Sequence, residues 1–346
     1  MKKITSLLFI SIFCIQVNIS ISQPENLQYK IANTFHLQGD EGWDALTIDE
    51  STGRIFISHG SMVQVVDESN GNVLGTITDL KGVHGIAIAP EFNKGFITNG
   101  RDSSVTVFDL NTLSVLDKIN VTGRNPDAIL YDPYSHCVFT FNGGSPNATV
   151  IDASTNEIKA TIPLDGKPEF SAADGNGKVY VNLEDTSEIS VINSASLQVE
   201  QTWTIAPGEE PSGLALDNEN HRLFTVCHNK LMVVMDALNG KVITTLPIGE
   251  RVDGAEFDPV LKRAYSSNGD GTLTVVQEAG SNDFKVIENV TTQIGARTCT
   301  VDTKTHHIFL PTAEFNPPPE PTGDNPHPRP SIKPGTFVII DVAPMK

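Results

Sequence analysis

Seven positions spaced 40, 43, 42, 43, 41 and 44 residues apart carry side chains that could do chemistry: Asp44, His84, Asp127, Glu169, Ser212, Asp253 and Arg297. Carboxylates and imidazoles move protons or ligate cations, and a guanidinium clamps an anion through two parallel N–H bonds. A second set follows each of these at a similar offset: His59, Asn99, Arg101, Asn142, Glu184, His228, Asn268, Asp270 and Glu314, with Trp43 directly ahead of the first acid. Calcium would be held here through oxygens, or zinc through nitrogen and oxygen, with ligands drawn from distant segments. The chain carries no His pair four residues apart, no calcium-loop pattern, and no GxSxG, HExxH, Walker or post-strand GxGxxG motif, so hydrolase, metalloprotease and nucleotide-binding chemistry lack their usual entry points. Each residue also has a plain structural role open to it. Asp44, Asp127 and Asp253 can bond neighbouring backbone, His84 and His228 can line a wet channel, Arg297 can serve as an ion-pair partner, and Trp43 can simply pack.

The spacing comes from a repeated phrase: DALTID from Asp44, HGIAIAP from His84, DAILYDP from Asp127, EFSAAD from Glu169, SGLALD from Ser212, DGAEFD from Asp253 and RTCTVD from Arg297. A period of about 40 to 45 residues built of short strands is the mark of a propeller blade, and no i, i+3, i+4 apolar pattern argues for helices instead. Residues 84–119 show the internal order of strand, turn, strand, turn, strand, turn, strand. The reading is an all-β, seven-bladed β-propeller of four-stranded antiparallel blades. Small residues such as Gly85, Ala128 and Gly213 fall on the first strands, where the chain crowds the central channel. Third strands mostly end in an acid or its amide, among them Asp67, Asp109, Asp152, Asn193, Asp236 and Asp341, which suits capping of the next turn. The last copy lacks a fourth strand, so Tyr29–Leu37 should complete it and close the ring.

In such a ring the loop entering each first strand and the loop joining the second and third strands open on one face. The two chemical sets therefore converge on one channel mouth, the default place for a ligand. The opposite face receives ordinary polar turns such as ESTGR and DNENH. Nine prolines in residues 311–334 stiffen an insertion in the last blade, expected either to lie across the channel as a lid carrying Glu314, His327 and Arg329 or to be a solvated spacer.

Residues 1–22 read as a secretory signal peptide, with Met1-Lys2-Lys3, an apolar run from Leu7 to Ile15 and small residues before Gln23. That leaves residues 23–346 as one propeller, periplasmic or secreted, with no run long enough for a membrane span. Loss of Lys2 and Lys3 takes the formal charge from −18 to −20, which disfavours nucleic-acid partners. Cys137, Cys227 and Cys299 have no CxxC partner and read as buried free thiols.

Ile97-Thr98-Asn99-Gly100 followed by Val105-Thr106-Val107-Phe108-Asp109 resembles the YVTN repeat of YncE-like propellers. GWDALTID, NPDAILYDP, GKPEFSAADG, EEPSGLALD and GARTCTVD are similar to phrases of an exported bacterial branch of that family. The resemblance covers the mature chain and implies the fold, with no particular reaction. The functional expectation is a small molecule, ion or protein partner bound at the channel mouth. The alternative is a metal-dependent hydrolase of the lactonase or gluconolactonase type, with a central calcium or zinc ion polarising a carbonyl.

Overall fold

The computed structural model describes residues 28–280, 282–323 and 328–345; the expected leader, residues 1–22, lies outside them. The strands assemble into seven antiparallel sheets of four. Six sheets run in chain order, the first being Trp43–Asp49, Arg54–His59, Met62–Asp67 and Val73–Ile77. In the seventh, Gln28–His36 forms the outer strand beside Val338–Met345, His307–Thr312 and the short inner Thr300–Asp302. The pairing of Gln28–His36 with Val338–Met345 runs from Gln28 opposite Met345 to His36 opposite Val338. Apart from single 3-10 turns at Pro90–Phe92 and Gly100–Asp102, the described residues contain no helix, and none therefore long and apolar enough to cross a membrane.

Second and third strands are apolar on both faces because a blade has a neighbour on each side. In blade 2, Lys94–Asn99 and Ser104–Asp109 are almost wholly buried, whereas the outer Val115–Asn120 is mostly exposed. Core clusters accordingly sit between blades. Phe56, Val63 and Val65 of blade 1 pack on Ile86, Ile97 and Phe108 of blade 2. Phe35, Ile55 and Ile57 meet Phe309, Phe337 and Ile339 across the seam between the first and last blades. Each such apolar side chain stabilises the ring by roughly 1.5–3 kcal/mol, so the seam is held by the same force as the other contacts.

Close approach of the first strands explains their small residues. A Cβ on Gly213 would lie 2.5 Å from the backbone nitrogen of Ala255, and one on Gly254 would lie 2.8 Å from that of Cys299. Polar side chains stitch each blade to the next at this radius. Thr98 donates to the Asp127 carbonyl at 2.7 Å, Asn182 to that of Ser212 at 2.8 Å, Ser267 to that of Arg297 at 2.6 Å, and Thr298 to that of Asp44 at 2.6 Å across the seam. The acids ending third strands accept backbone N–H groups of the turns that follow: Asp67 from Ser69 at 2.8 Å, Asp152 from Ser154 at 2.9 Å and Asp236 from Leu238 at 2.8 Å. Asp341 differs, taking bonds from Asn33 and His307 across its sheet. Cys137, Cys227 and Cys299 are buried and free.

The insertion is displaced by two to three residues from the span the prolines suggest. Pro311 is part of the strand His307–Thr312, opposite Ile339, and the last strand begins at Val338. The inner strand of that blade ends opposite Phe309, so a proline two residues further on removes no bond from its ladder. The described residues between these strands, 313–323 and 328–337, form the excursion, pinned by a bridge between Phe315 and Ile332, and His327 lies outside them.

Candidate functional site

Each blade contributes one side chain to a ring at the upper end of the channel. In six of the seven first strands the pairing register shifts just at this point, between Trp43 and Leu46, Val83 and Ile86, Pro126 and Ile129, Pro168 and Ser171, Pro211 and Leu214, and Val252 and Gly254. A bulge re-aims the residue inside it, and the residues inside these are Asp44, His84, Asp127, Glu169, Ser212 and Asp253.

Six ring members form one chain of polar contacts. Ser212 Oγ donates to Asp253 at 2.5 Å; Arg297 bonds Asp253 through one nitrogen and Asp44 at 3.2 Å through the other. His84 Nδ1 lies 2.6 Å from Asp44 and 3.3 Å from Asp127. Glu169 stands outside this chain. Lys167 holds it at 2.7 Å and also pairs with Glu184.

Electrostatics separates the acids. Burial raises Asp44, but the His84 bond and the Arg297 charge outweigh it and hold that carboxyl below its usual range. Burial pushes Asp127 up to about 6, with the Asp44 charge adding to it. Glu169 rises to about 8 through burial, the Lys167 bond recovering only part of the cost. Burial opposes the imidazolium of His84, yet the Asp44 bond and Asp127 charge raise its pKa overall. With a proton on Glu169, the ring and Lys167 are close to neutral despite four carboxyl groups.

Three cavities meet here. A vestibule of about 560 Å³ above the ring is lined by Asp127, Lys167, Glu169, His228, Arg251 and Arg329, among others. Below it the first strands enclose a channel of about 300 Å³, which includes His84 and, deeper, Glu256. Asp44 and Asp127 line both spaces, so the ring forms the floor between them. An apolar cavity of about 630 Å³ lies beside the vestibule between Trp43, Ile294 and the insertion residues Phe315, Pro318 and Ile332. It shares Arg251, Arg297 and Arg329 with the vestibule.

The structure thus gathers Asp44, Asp127, Glu169, Glu184, His228, Asp253 and Arg297 at the vestibule, His84 just beneath, and Trp43 at its side, packed with tilted rings against Phe315 and Phe337. Other residues expected at the mouth sit elsewhere. His59 is fully buried, its ring nitrogens 3.1 Å from Gln64 Oε1 and 2.9 Å from the Glu41 carbonyl. Asn99, Asn142 and Asn268 are buried within hairpins, donating to Thr106 at 3.0 Å, Asn147 at 2.7 Å and Thr272 at 3.0 Å. Arg101 is exposed and lies against Gly82, and Glu314 pairs with Lys333 at 2.7 Å. Lys167, Arg251 and Glu256 were not expected. The first two lie two positions before a ring residue, a signal available in the sequence, and Glu256 follows the small residues Gly254 and Ala255 on a first strand.

Asp44, His84 and Asp127 offer ligand atoms all within 4.8 Å of one another, near enough to hold a metal ion. Metal binding there would require His84 Nδ1 to give up its proton and its bonds to both acids.

No family model matches the chain. It is 25% identical over 269 residues to antigen Lp49 of Leptospira interrogans, covering 71% of this chain and 52% of Lp49. It is 28% identical over 108 residues to the uncharacterised protein YncE of Escherichia coli, covering 28% of this chain and 30% of YncE. The matched region therefore spans about half of one curated relative and under a third of the other. Among solved structures, a chain of Kuenenia stuttgartiensis hydrazine synthase superposes with a TM-score of 0.67 at 18% identity, covering 80% of this chain and 94% of that one. U3-55K superposes with a TM-score of 0.74 at 10% identity, covering 92% and 100%. Those two likenesses concern the fold alone. The molecule is a seven-bladed β-propeller with a polar ring at one channel mouth. Weak homology to YncE and Lp49 together with this fold supports its place in the YncE-like propeller family.

Proposed function

We propose that this chain is an exported, periplasmic or secreted binding propeller that holds a small-molecule ligand in the vestibule above its ring. The observation that carries the reading is the ring's lack of repetition. Features serving the fold recur from blade to blade, as the turn-capping acids and the interblade stitches do, whereas the seven ring positions hold Asp, His, Asp, Glu, Ser, Asp and Arg. A polar network of unlike members beneath a 560 Å³ vestibule is more than the packing of blades requires. Thermal-shift measurements on the mature protein against a panel of amines, carboxylates, zwitterions and sugars test it, with the double variant Asp127→Asn/Glu169→Gln alongside. At least one class should stabilise the wild type and not the variant. Equal behaviour of both proteins across the panel would remove the vestibule as a binding site.

The second reading, a metal-dependent hydrolase of lactonase type, is favoured by the closeness of Asp44, His84 and Asp127. Elemental analysis tests it: a stoichiometric divalent ion lost in Asp44→Asn supports it, and a protein that neither contains nor is stabilised by calcium or zinc excludes it.

A further inference from the structure

We infer that the vestibule and the adjoining apolar cavity together take a zwitterion bearing an apolar side group, of the amino-acid or short-peptide class. This rests on the binding reading above and names the ligand chemistry it leaves open.

The anion seat comes from two arginines. The chain has eight, and those at the lower face are engaged, Arg54 with Asp49 at 3.1 Å, Arg222 with Asp236 at 3.7 Å and Arg263 with Gln277 at 3.0 Å. Arg297 is held between Asp44 and Asp253. Arg251, ahead of a first strand, and Arg329, from the insertion, come from distant segments yet both line the vestibule and the apolar cavity. Among the described residues neither guanidinium has an acidic partner, in a chain whose formal charge is −18. Two uncommitted guanidinium groups at one seam present the fork geometry that a carboxylate accepts.

The cation seat is the floor. Glu169 has one contact, to Lys167, and Asp127 shares the imidazole of His84 with Asp44 at the longer distance of 3.3 Å. Both carboxyls are desolvated, so a ligand ammonium placed between them can replace the proton on Glu169 and leave the ring close to neutral. A simple anion would meet this acidic floor, and a simple cation would meet Arg251 and Arg329. A neutral sugar would leave both sets unpaired on desolvation. The third seat is the cavity walled by Trp43, Ile294, Phe315, Pro318 and Ile332, which suits an aliphatic or aromatic side chain.

The test is calorimetric titration of the full mature chain with the dipeptide phenylalanyl-leucine, its N-acetyl form, its C-terminal amide and the doubly blocked form. The free dipeptide should bind, each single block should weaken binding at least tenfold, and the doubly blocked form should not bind. In Arg251→Ala/Arg329→Ala, two exposed sites whose loss should leave the melting temperature unchanged, the free acid and the amide should bind alike while the N-acetyl penalty persists. In Asp127→Asn/Glu169→Gln the pattern should reverse. Indifference to blocking, or no binding of the free dipeptide at millimolar concentration, overturns the inference. Benzylamine and phenylacetate separate the two levels: binding of either without the dipeptide leaves the vestibule as a site and rejects the zwitterion. Silence from every probe, with no ring-dependent thermal shift, rejects both.

Discussion

Glu256 lies three residues below Asp253 on the same strand, in the channel beneath the ring, and no side chain among the described residues bonds it. Burial, with the Glu50 charge adding, pushes its pKa up to about 8. A carboxyl raised in the fold stabilises it fully below its unfolded pKa, and that contribution fades as pH climbs through the folded value. Glu256→Gln should therefore stabilise the protein by about 1–2 kcal/mol at pH 8.5, after allowance for solvent screening, and change little at pH 5. Urea unfolding at the two pH values checks this, and an equal effect at both would mean that packing rather than charge is at work. Arg297 behaves oppositely, because it neutralises Asp44 and Asp253 from between them. Arg297→Ala should cost about 1–3 kcal/mol, less than a fully buried pair because the side chain is 41% exposed. Arg297→Lys, able to reach one acid at a time, should recover part of that loss in the same unfolding measurement.

At the scale of the strand, repetition is what made the chain readable. The turn-capping acids recur blade after blade and could be assigned from sequence, and the small residues of the first strands follow from a crowding that Gly213 and Gly254 show directly. Asn99, Asn142 and Asn268 share one position in their blades and each donates inside its own hairpin, so they serve the blade rather than the mouth. His59 does that job in blade 1 through Gln64, a partner invisible to a reading of single positions. Arg251 and Lys167 stand two positions ahead of Asp253 and Glu169, a spacing the sequence carries, but that such a side chain turns into the vestibule is decided by the folded path of the entry loop. The closing strand yields a sharper expectation. Tyr29 bonds Tyr265 at 2.9 Å and accepts from Arg263 at 2.8 Å, while Phe35 fills the seam core. Deleting Gln28–His36 removes those contacts, at roughly 1.5–3 kcal/mol for each large apolar side chain, and bares the edge of Val338–Met345. The truncated protein should melt at least 10 °C lower and form concentration-dependent oligomers on size-exclusion chromatography. A synthetic peptide of the deleted strand should reverse both changes; unchanged melting would show that the seam does not depend on that strand.

Over the whole molecule the raised carboxyls outnumber what a single site would need, and they set the pH at which the ring is firmest. Asp127 titrates near 6, Glu68 and Glu278 near 7, and Glu169 and Glu256 near 8, each raised first by burial. Glu68 and Glu278 sit near Asp302 and Asp217 at the lower face, whose charges raise them further. All five bind a proton more tightly folded than unfolded, so their contribution is intact below about 4.5 and is lost as pH rises to 8. His84 and His307, raised by Asp44 and Asp341, have the same sign above their usual 6.5. Asp44, Asp49 and Asp152 are lowered and act the other way, withdrawing stability only as pH falls below about 4. The melting temperature should therefore peak at about pH 4 to 4.5 and decline steadily to about pH 8 in scanning calorimetry at fixed ionic strength. Unfolding at pH 7.5 should release protons, because the unfolded chain cannot hold them on acids of ordinary pKa. Calorimetry in buffers of different ionisation enthalpy reads that release directly. A melting temperature flat from pH 6 to 9, or proton uptake on unfolding, would show that these carboxyls are ionised in the folded ring and that water or cations compensate them where the protein does not.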